Sequence, residues 1–305
     1  MLNWLKDKNC PLDPNACTDA AMNGQLDALK WLRANHFEWS EFTCMRAAEG
    51  GHFEVLKWAR DNGCEAGSNT CLRAAKHFEM LKYLLEIDCP CNDQLCNNAI
   101  AYGNLESLQY AVSKGFPLLS NSFVLAIHKG NLRIVKWLIH QAKHQNYSEL
   151  MEIAARRGQL DIFVFLDTLN PFWNREFCFE NAIKSGEVEL LNWIVEHGAQ
   201  VPENAMDSAP NLKIAMFLYQ RKNKITAKAI ASVAQAGDLK ALKWMKENGG
   251  KWNDDIMAFG ALSGSLEVVK WLHKQGCKWD QNIVIDALWR EFDDIVEYFE
   301  THSSQ

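Results

Sequence analysis

Apolar residues fall into two alternating patterns along the chain. In the first, small side chains dominate, as in Thr43-Cys44-Met45-Arg46-Ala47-Ala48, and the run stops at Gly51. In the second, apolar residues recur at helical spacing, as in Leu26-Asp27-Ala28-Leu29-Lys30-Trp31-Leu32. The first pattern predicts a short helix closed by a positive-φ residue, where glycine fits at least cost. The second predicts a one-sided helix that stops at Asn62-Gly63, His197-Gly198, Asn248-Gly249 or Gln275-Gly276. No useful stretch alternates with the period of a strand. Neither helix can bury its apolar face alone, so each pair must stack on its neighbours.

The alternation has a fixed period. One aromatic position recurs as Trp4, Trp31, Trp58, Tyr83, Tyr110, Trp137, Phe165, Trp193, Phe217, Trp244, Trp271 and Tyr298, at spacings of 27, 27, 25, 27, 27, 28, 28, 24, 27, 27 and 27. Such regularity across the whole chain predicts one array: a partial unit over residues 1–12, ten units over 13–279 and a C-terminal capping unit over 280–305. Two units depart from the pattern. The third lacks two residues at its turn, Ala74-Ala75-Lys76-His77-Phe78, and the eighth is short and carries Pro210 where its turn should form. Both are expected to be bends or weak points. The last unit, with Glu291, Asp293, Asp294, Glu297 and Glu300, reads as an acidic cap. The first residues, Met1, Leu2, Trp4 and Leu5, read as a second helix without its partner. That apolar edge implies an upstream segment, a covering subunit or fraying.

The phrase Gly264-Ser265-Leu266-Glu267-Val268-Val269-Lys270-Trp271-Leu272 running to Gly276-Cys277 resembles the ankyrin repeat. So does Ala47-Ala48-Glu49-Gly50-Gly51-His52 with Glu54, Val55, Lys57 and Gly63. The resemblance covers essentially the whole chain. It implies an all-α, ankyrin-type α-solenoid of stacked helix pairs. Ankyrin units run about 33 residues, so a 27-residue unit implies a β-hairpin finger that is shortened or absent. The Trp and Cys content is similar to short-repeat ankyrin proteins of protists and large DNA viruses. That subtype implies the cytosol, of a host where the source is viral. It also implies, as one role, a substrate adaptor for ubiquitin machinery, although the terminal segment such adaptors carry is not found. Above all, the family implies a non-catalytic scaffold that binds a protein on its concave groove.

Composition sharpens this picture. The chain has 305 residues, 32 basic and 38 acidic side chains, a net charge of −6 and 48% hydrophobic residues. These values describe a well-packed soluble protein. The acidity argues against a general nucleic-acid binder. No apolar run is long enough for a membrane span, and no secretory signal is read at the start. Cysteines are then expected as free thiols in a reducing compartment. Asn146-Tyr147-Ser148 is an incidental glycosylation sequon.

The 10 Cys and 12 Trp mostly follow the period. Cys17, Cys44, Cys71 and Cys96 share one helix phase with Phe123, Met151 and Phe179, so that phase is core. Cys10, Cys64, Cys89 and Cys277 share a loop phase, leaving Cys91 and Cys178. A zinc site from Cys89, Cys91, Cys96 and His77 has no recognised spacing. Trp39, Trp173, Trp252 and Trp279 lie eight residues after a ladder aromatic, and Trp289 stands apart. Lys30, Lys57, Lys82 and Lys270 follow Asp27, Glu54, Glu79 and Glu267 by three residues and read as surface pairs. His140 and His144, without the glutamate of a metalloprotease motif, are a weak metal signal beside a solvated helix end. No catalytic constellation, cofactor loop or metal set is expected.

The ankyrin resemblance implies a partner on the concave groove and, carried over residue by residue, binding positions between Ala-Ala and the turn glycine, which do not repeat as the core positions do. Tyr102, His128, Lys129, Arg156, Arg157 and Lys184 are the choices. The last five fall in three consecutive units. With stacked helices about 10 Å apart, they would form a basic stripe of roughly 20–30 Å for an acidic peptide or protein face. A plain solvated surface is the alternative, and nucleic acid is the runner-up ligand.

Overall fold

The computed structural model describes residues 13, 15–141, 146–253 and 255–302. Trp4, Cys10, His144 and the apolar start at Met1, Leu2 and Leu5 lie outside these residues. The chain forms two compact units, residues 1–144 and 145–305.

The first unit holds five helix pairs: α1 (Ala16–Met22) and α2 (Leu26–Ala34), α3 (Glu41–Gly50) and α4 (Phe53–Asp61), α5 (Ser68–Ala74) and α6 (Phe78–Glu86), α7 (Leu95–Ala101) and α8 (Leu105–Ser113), α9 (Ser122–His128) and α10 (Leu132–Gln141). The second holds α11 (Tyr147–Arg156) and α12 (Leu160–Leu169), then α13 (Arg175–Ser185) and α14 (Val188–Glu196). A one-turn 3-10 helix (Ala205–Ser208) precedes α15 (Leu212–Gln220). Then come α16 (Ala227–Gln235) and α17 (Leu239–Glu247), α18 (Ile256–Leu262) and α19 (Leu266–Lys274), and α20 (Gln281–Trp289) and α21 (Asp293–His302). No strand occurs among the described residues. The architecture is an all-helical α-solenoid of stacked pairs, without a β-hairpin finger among those residues.

Residue size sets the curvature within each unit. First helices of successive pairs, α1 with α3 and α11 with α13, pack closely, whereas second helices diverge. Cys17, Ala20, Ala21, Cys44, Ala47, Ala48, Cys71 and Ala74 are all buried there, and small side chains let backbones approach. The first helices therefore line the inner side of each unit. The core of the second helices lies beside the aromatic ladder: Leu56 and Ala59, Leu81 and Leu84, Leu191 and Ile194 are fully buried. The ladder residues themselves are mostly half-buried. They join successive layers edge to face. Trp39 meets Trp58 at 5.8 Å between ring centroids, and Trp252 meets Trp271 at 5.8 Å. The phase eight residues after each ladder position thus packs on the next ladder position.

A second device fixes layer to layer at the turns. At three turns the residue before the second helix reaches back to a carbonyl of the preceding layer. His52 Nε2 lies 3.0 Å from the Met22 oxygen. The amide Nδ2 of Asn104 donates to the Lys76 oxygen at 3.0 Å, while its Oδ1 accepts from the Ser107 N–H at 2.9 Å and so caps α8. Asn131 repeats both bonds, to Gly103 and Ile134. Asparagine serves here because one side chain carries a donor and an acceptor. First helices are pinned similarly where Asn97 donates to Asn121 at 2.8 Å and accepts from Ser122 at 2.9 Å.

The two irregular units are irregular in three dimensions. In the third, α5 ends through Ala75 at φ −55°, without the left-handed residue used elsewhere. In the eighth, the first helix shrinks to the 3-10 turn before Pro210. At the ends of second helices His36, Asp88 and Lys222 adopt positive φ where other units place glycine. The expected pairs Asp27–Lys30, Glu54–Lys57, Glu79–Lys82 and Glu267–Lys270 are not formed. Helical spacing brings such side chains near one another but holds exposed ones weakly, and Lys270 instead lies 5.6 Å from the centre of the Tyr298 ring.

His77, in the third unit, carries a testable consequence. Its Nε2 is buried with no hydrogen-bond partner. Burial first, then the charges of Lys76 and His52, hold its pKa below the ordinary imidazole value. The unfolded chain therefore binds a proton more readily, and stability contributed at neutral pH is lost as pH falls below about 6.5. Urea midpoints measured at pH 7.5 and 5.5 should drop more for the wild type than for His77→Gln. Equal drops would contradict this account.

Candidate partner-binding face

The inner face of the first unit carries a polar network across three first helices. Arg46 Nη1 of α3 lies 2.6 Å from Glu49 Oε2, one turn along the same helix. Arg73 Nη1 of α5 lies 3.7 Å from the other oxygen, Glu49 Oε1. The same Arg73 nitrogen donates to the Tyr102 hydroxyl, at the end of α7, at 3.3 Å. The bond to Tyr102 and then the nearby Glu49 favour the charged guanidinium and push the pKa of Arg73 upward. Lys76 and Lys129 are exposed at the first-helix turns of this unit.

Tyr102 was expected on this face; Arg46 and Arg73 were not. Both sit immediately before Ala-Ala, outside the variable pair that lies between Ala-Ala and the turn. The signal was present: two arginines share one phase in consecutive units. An exposed ion pair contributes only about 0.2–1 kcal/mol. The Arg46–Glu49–Arg73 contacts can therefore be exchanged at little cost for a carboxylate supplied from outside.

The other expected residues divide between the units. His128 and Lys129, at the end of α9, are exposed in the first. Arg156, Arg157 and Lys184 belong to the second. Arg156 Nε donates at 3.0 Å to Oδ1 of Asn181, a buried residue of α13 whose own Nδ2 bonds Phe177 O. Arg156 thus ties α11 to α13 and is not simply displayed. Arg157 caps α11 and Lys184 lies in the last turn of α13, both exposed.

The cysteines depart from the free-thiol expectation at one place. Cys71 and Cys91 are joined by a disulfide, with Cα atoms 5.6 Å apart. Cys91 lies in the loop after α6 and reaches Cys71 on α5 across a separation of 20 residues. Cys17, Cys44, Cys64, Cys89, Cys96 and Cys178 are buried free thiols. The imagined zinc set is not assembled: Cys91 is bonded to Cys71, Cys89 Sγ contacts the Ala66 oxygen at 3.4 Å and Cys96 Sγ the Phe116 oxygen at 3.6 Å. Burial pushes the Cys96 thiol up to about 11 and the Cys178 thiol up to about 12. At Cys44 a hydrogen bond with Cys64, and then burial, raises the pKa. Protonated thiols are poor nucleophiles. Among the described residues no group of three or more His, Cys, Asp or Glu could hold a metal ion.

An open groove of about 590 Å³ in the second unit is lined by Tyr219, Lys222, Asn223, Lys224, Ile225, Asn248 and Gly249. Its charged groups are lysines alone. No helix among the described residues is long and apolar enough to cross a membrane. Asn146, of the sequon, accepts the Glu149 N–H at 3.2 Å as the cap of α11.

No family model and no curated protein matches the chain. Among solved structures, the human ASB11 ankyrin repeat domain is similar at 17% identity and a TM-score of 0.35, over 67% of this chain and 96% of that one. The pentatricopeptide repeat protein PPR10, in complex with an 18-nt psaJ RNA element, is similar at 10% identity and a TM-score of 0.43, over 99% of this chain. PPR10 from maize matches at 10% identity and a TM-score of 0.41. The chain spans 56% and 60% of the two PPR10 chains.

Proposed function

We propose that this chain is a non-catalytic binding scaffold, one repeat series running through both units, whose first-helix face receives an acidic segment of a protein partner. The observation that carries this reading is the Arg46–Glu49–Arg73–Tyr102 network. Three helices from three layers converge there, and Glu49 occupies the position that a partner carboxylate would take. His128 and Lys129 extend the basic character in the first unit; Arg157 and Lys184 supply it in the second. The short-repeat ankyrin subtype and a reducing cellular compartment complete the proposal.

A fluorescent 12-residue Glu-rich peptide and an 18-nucleotide oligouridylate serve as probes. Arg73→Glu should weaken peptide binding about tenfold or more, the scale of one lost charge-assisted contact. Arg175→Glu, whose guanidinium bonds the His197 oxygen at the opposite end of α13 from Lys184, should leave binding unchanged. Arg157→Glu tests the second unit without breaking the Arg156–Asn181 bond. Unchanged peptide affinity in Arg73→Glu would refute the reading. Tighter binding of the RNA, with a steep salt dependence, would replace the protein partner by nucleic acid.

A further inference from the structure

The disulfide joins α5, which carries Arg73, to the loop that leads into α7, at whose far end Tyr102 stands. Cys71 is two residues before Arg73 on α5, and Cys91 lies in the loop of residues 87–94 that leads into α7 and its Tyr102. The two sulfurs differ in access: Cys71 is fully buried, whereas Cys91 is partly exposed. The preceding unit supplies an internal comparison. Cys44 and Cys64 are also 20 residues apart, and Cys44 Sγ lies 3.9 Å from the Cys64 carbonyl oxygen, yet the two remain unjoined and are only 0% and 1% exposed. Proximity is common to both pairs; contact with solvent belongs to one.

We propose that Cys71–Cys91 is a thiol–disulfide exchange site for low-molecular-weight thiols of the glutathione class, and that its state sets the register of Arg73 against Tyr102. A glutathione thiolate attacks the accessible Cys91 sulfur, the Cys71–Cys91 bond breaks, and Cys71 leaves as a thiolate that takes up a proton. A second glutathione thiolate attacks the glutathione sulfur of the mixed disulfide. Cys91 departs as a thiolate and glutathione disulfide forms. Two protein sulfurs are reduced and two glutathione thiols oxidised; excess glutathione disulfide runs the steps backward. With the bond closed, the loop into α7 is held to α5; with it open, that link is lost and the buried Cys89, whose Sγ contacts the Ala66 oxygen, remains as the loop's side-chain anchor.

The exchange does not rest on the partner reading, and neither readout requires a partner. The full chain is equilibrated over a range of glutathione to glutathione disulfide ratios, alkylated and analysed by mass spectrometry. Cys71 and Cys91 should pass together from paired to free, and Cys71→Ala should trap glutathione on Cys91. Cys91→Ser, altering the more exposed sulfur, serves if Cys71→Ala fails to fold. Opening the bond should speed amide exchange over residues 92–101 about tenfold or more, with Cys91→Ser matching the reduced wild type. A pair that stays closed, or stays open, at every ratio overturns the proposal. So does labelling of Cys44 and Cys64 as fast as Cys91, since exchange would then occur in unfolded chains. Unchanged amide exchange at residues 92–101 removes the coupling to Tyr102.

Discussion

Replacing Phe163 by alanine is expected to remove about 3–5 kcal/mol from the stability of the 145–305 unit. The ring is fully buried on α12. It meets Trp173 edge-on at 5.1 Å and Trp193 edge-on at 5.5 Å between centroids. Each such aromatic pair adds about 0.5–1.5 kcal/mol to the area term. The site cannot readily collapse, because the Trp173 indole N–H is already committed to Asp167 Oδ1 at 2.7 Å. Phe163→Leu retains most of the volume and should cost about 1.5 kcal/mol or less. Urea unfolding followed by tryptophan fluorescence measures both. A loss in Phe163→Ala no larger than that in Phe163→Leu would show that these rings do not hold the layers together.

Gly51→Ala should cost about 2–5 kcal/mol, and Gly63→Ala clearly less. Both glycines are left-handed, at φ +77° and +86°. Alanine at either position meets a backbone penalty of roughly 1–2 kcal/mol. Only at Gly51 is space also missing: a Cβ would lie 2.7 Å from Cε1 of His77, whereas nothing lies within 4 Å at Gly63. Overpacking adds roughly 1–3 kcal/mol. The difference between the two variants isolates the layer contact from the turn. Adding His77→Ala to Gly51→Ala should recover part of the loss, and a double-mutant cycle reports it. Equal costs at the two glycines would mean that the His77 ring yields freely.

The repeat, the helix pairs and the absent finger were legible because each is written many times. A Leu26-to-Leu32 pattern repeated through the chain overwhelms local noise. The irregular eighth unit was legible through Pro210. Three features were not legible for a common reason: they depend on which side chains meet across layers. Arg46 and Arg73 stand next to core alanines, and sequence phase alone does not show that their guanidinium groups converge on Glu49. Arg156 looked like a displayed charge until Asn181 placed an acceptor beneath it. Cys91 fell outside both cysteine phases because it lies two residues beyond the loop phase, which Cys89 occupies in its unit.

The one-turn helix at Ala205–Ser208 has a consequence for cooperativity. A stacked array holds together through nearest-neighbour couplings, so its unfolding is a chain of linked local transitions. Where α13 buries Cys178, Phe179, Asn181, Ala182 and Ile183, this turn buries Ala205 and Met206 alone. The coupling is therefore thinnest in the interior of the second unit. The helices before and after it can melt as separate blocks, and the last pairs need not wait for the ends to fray.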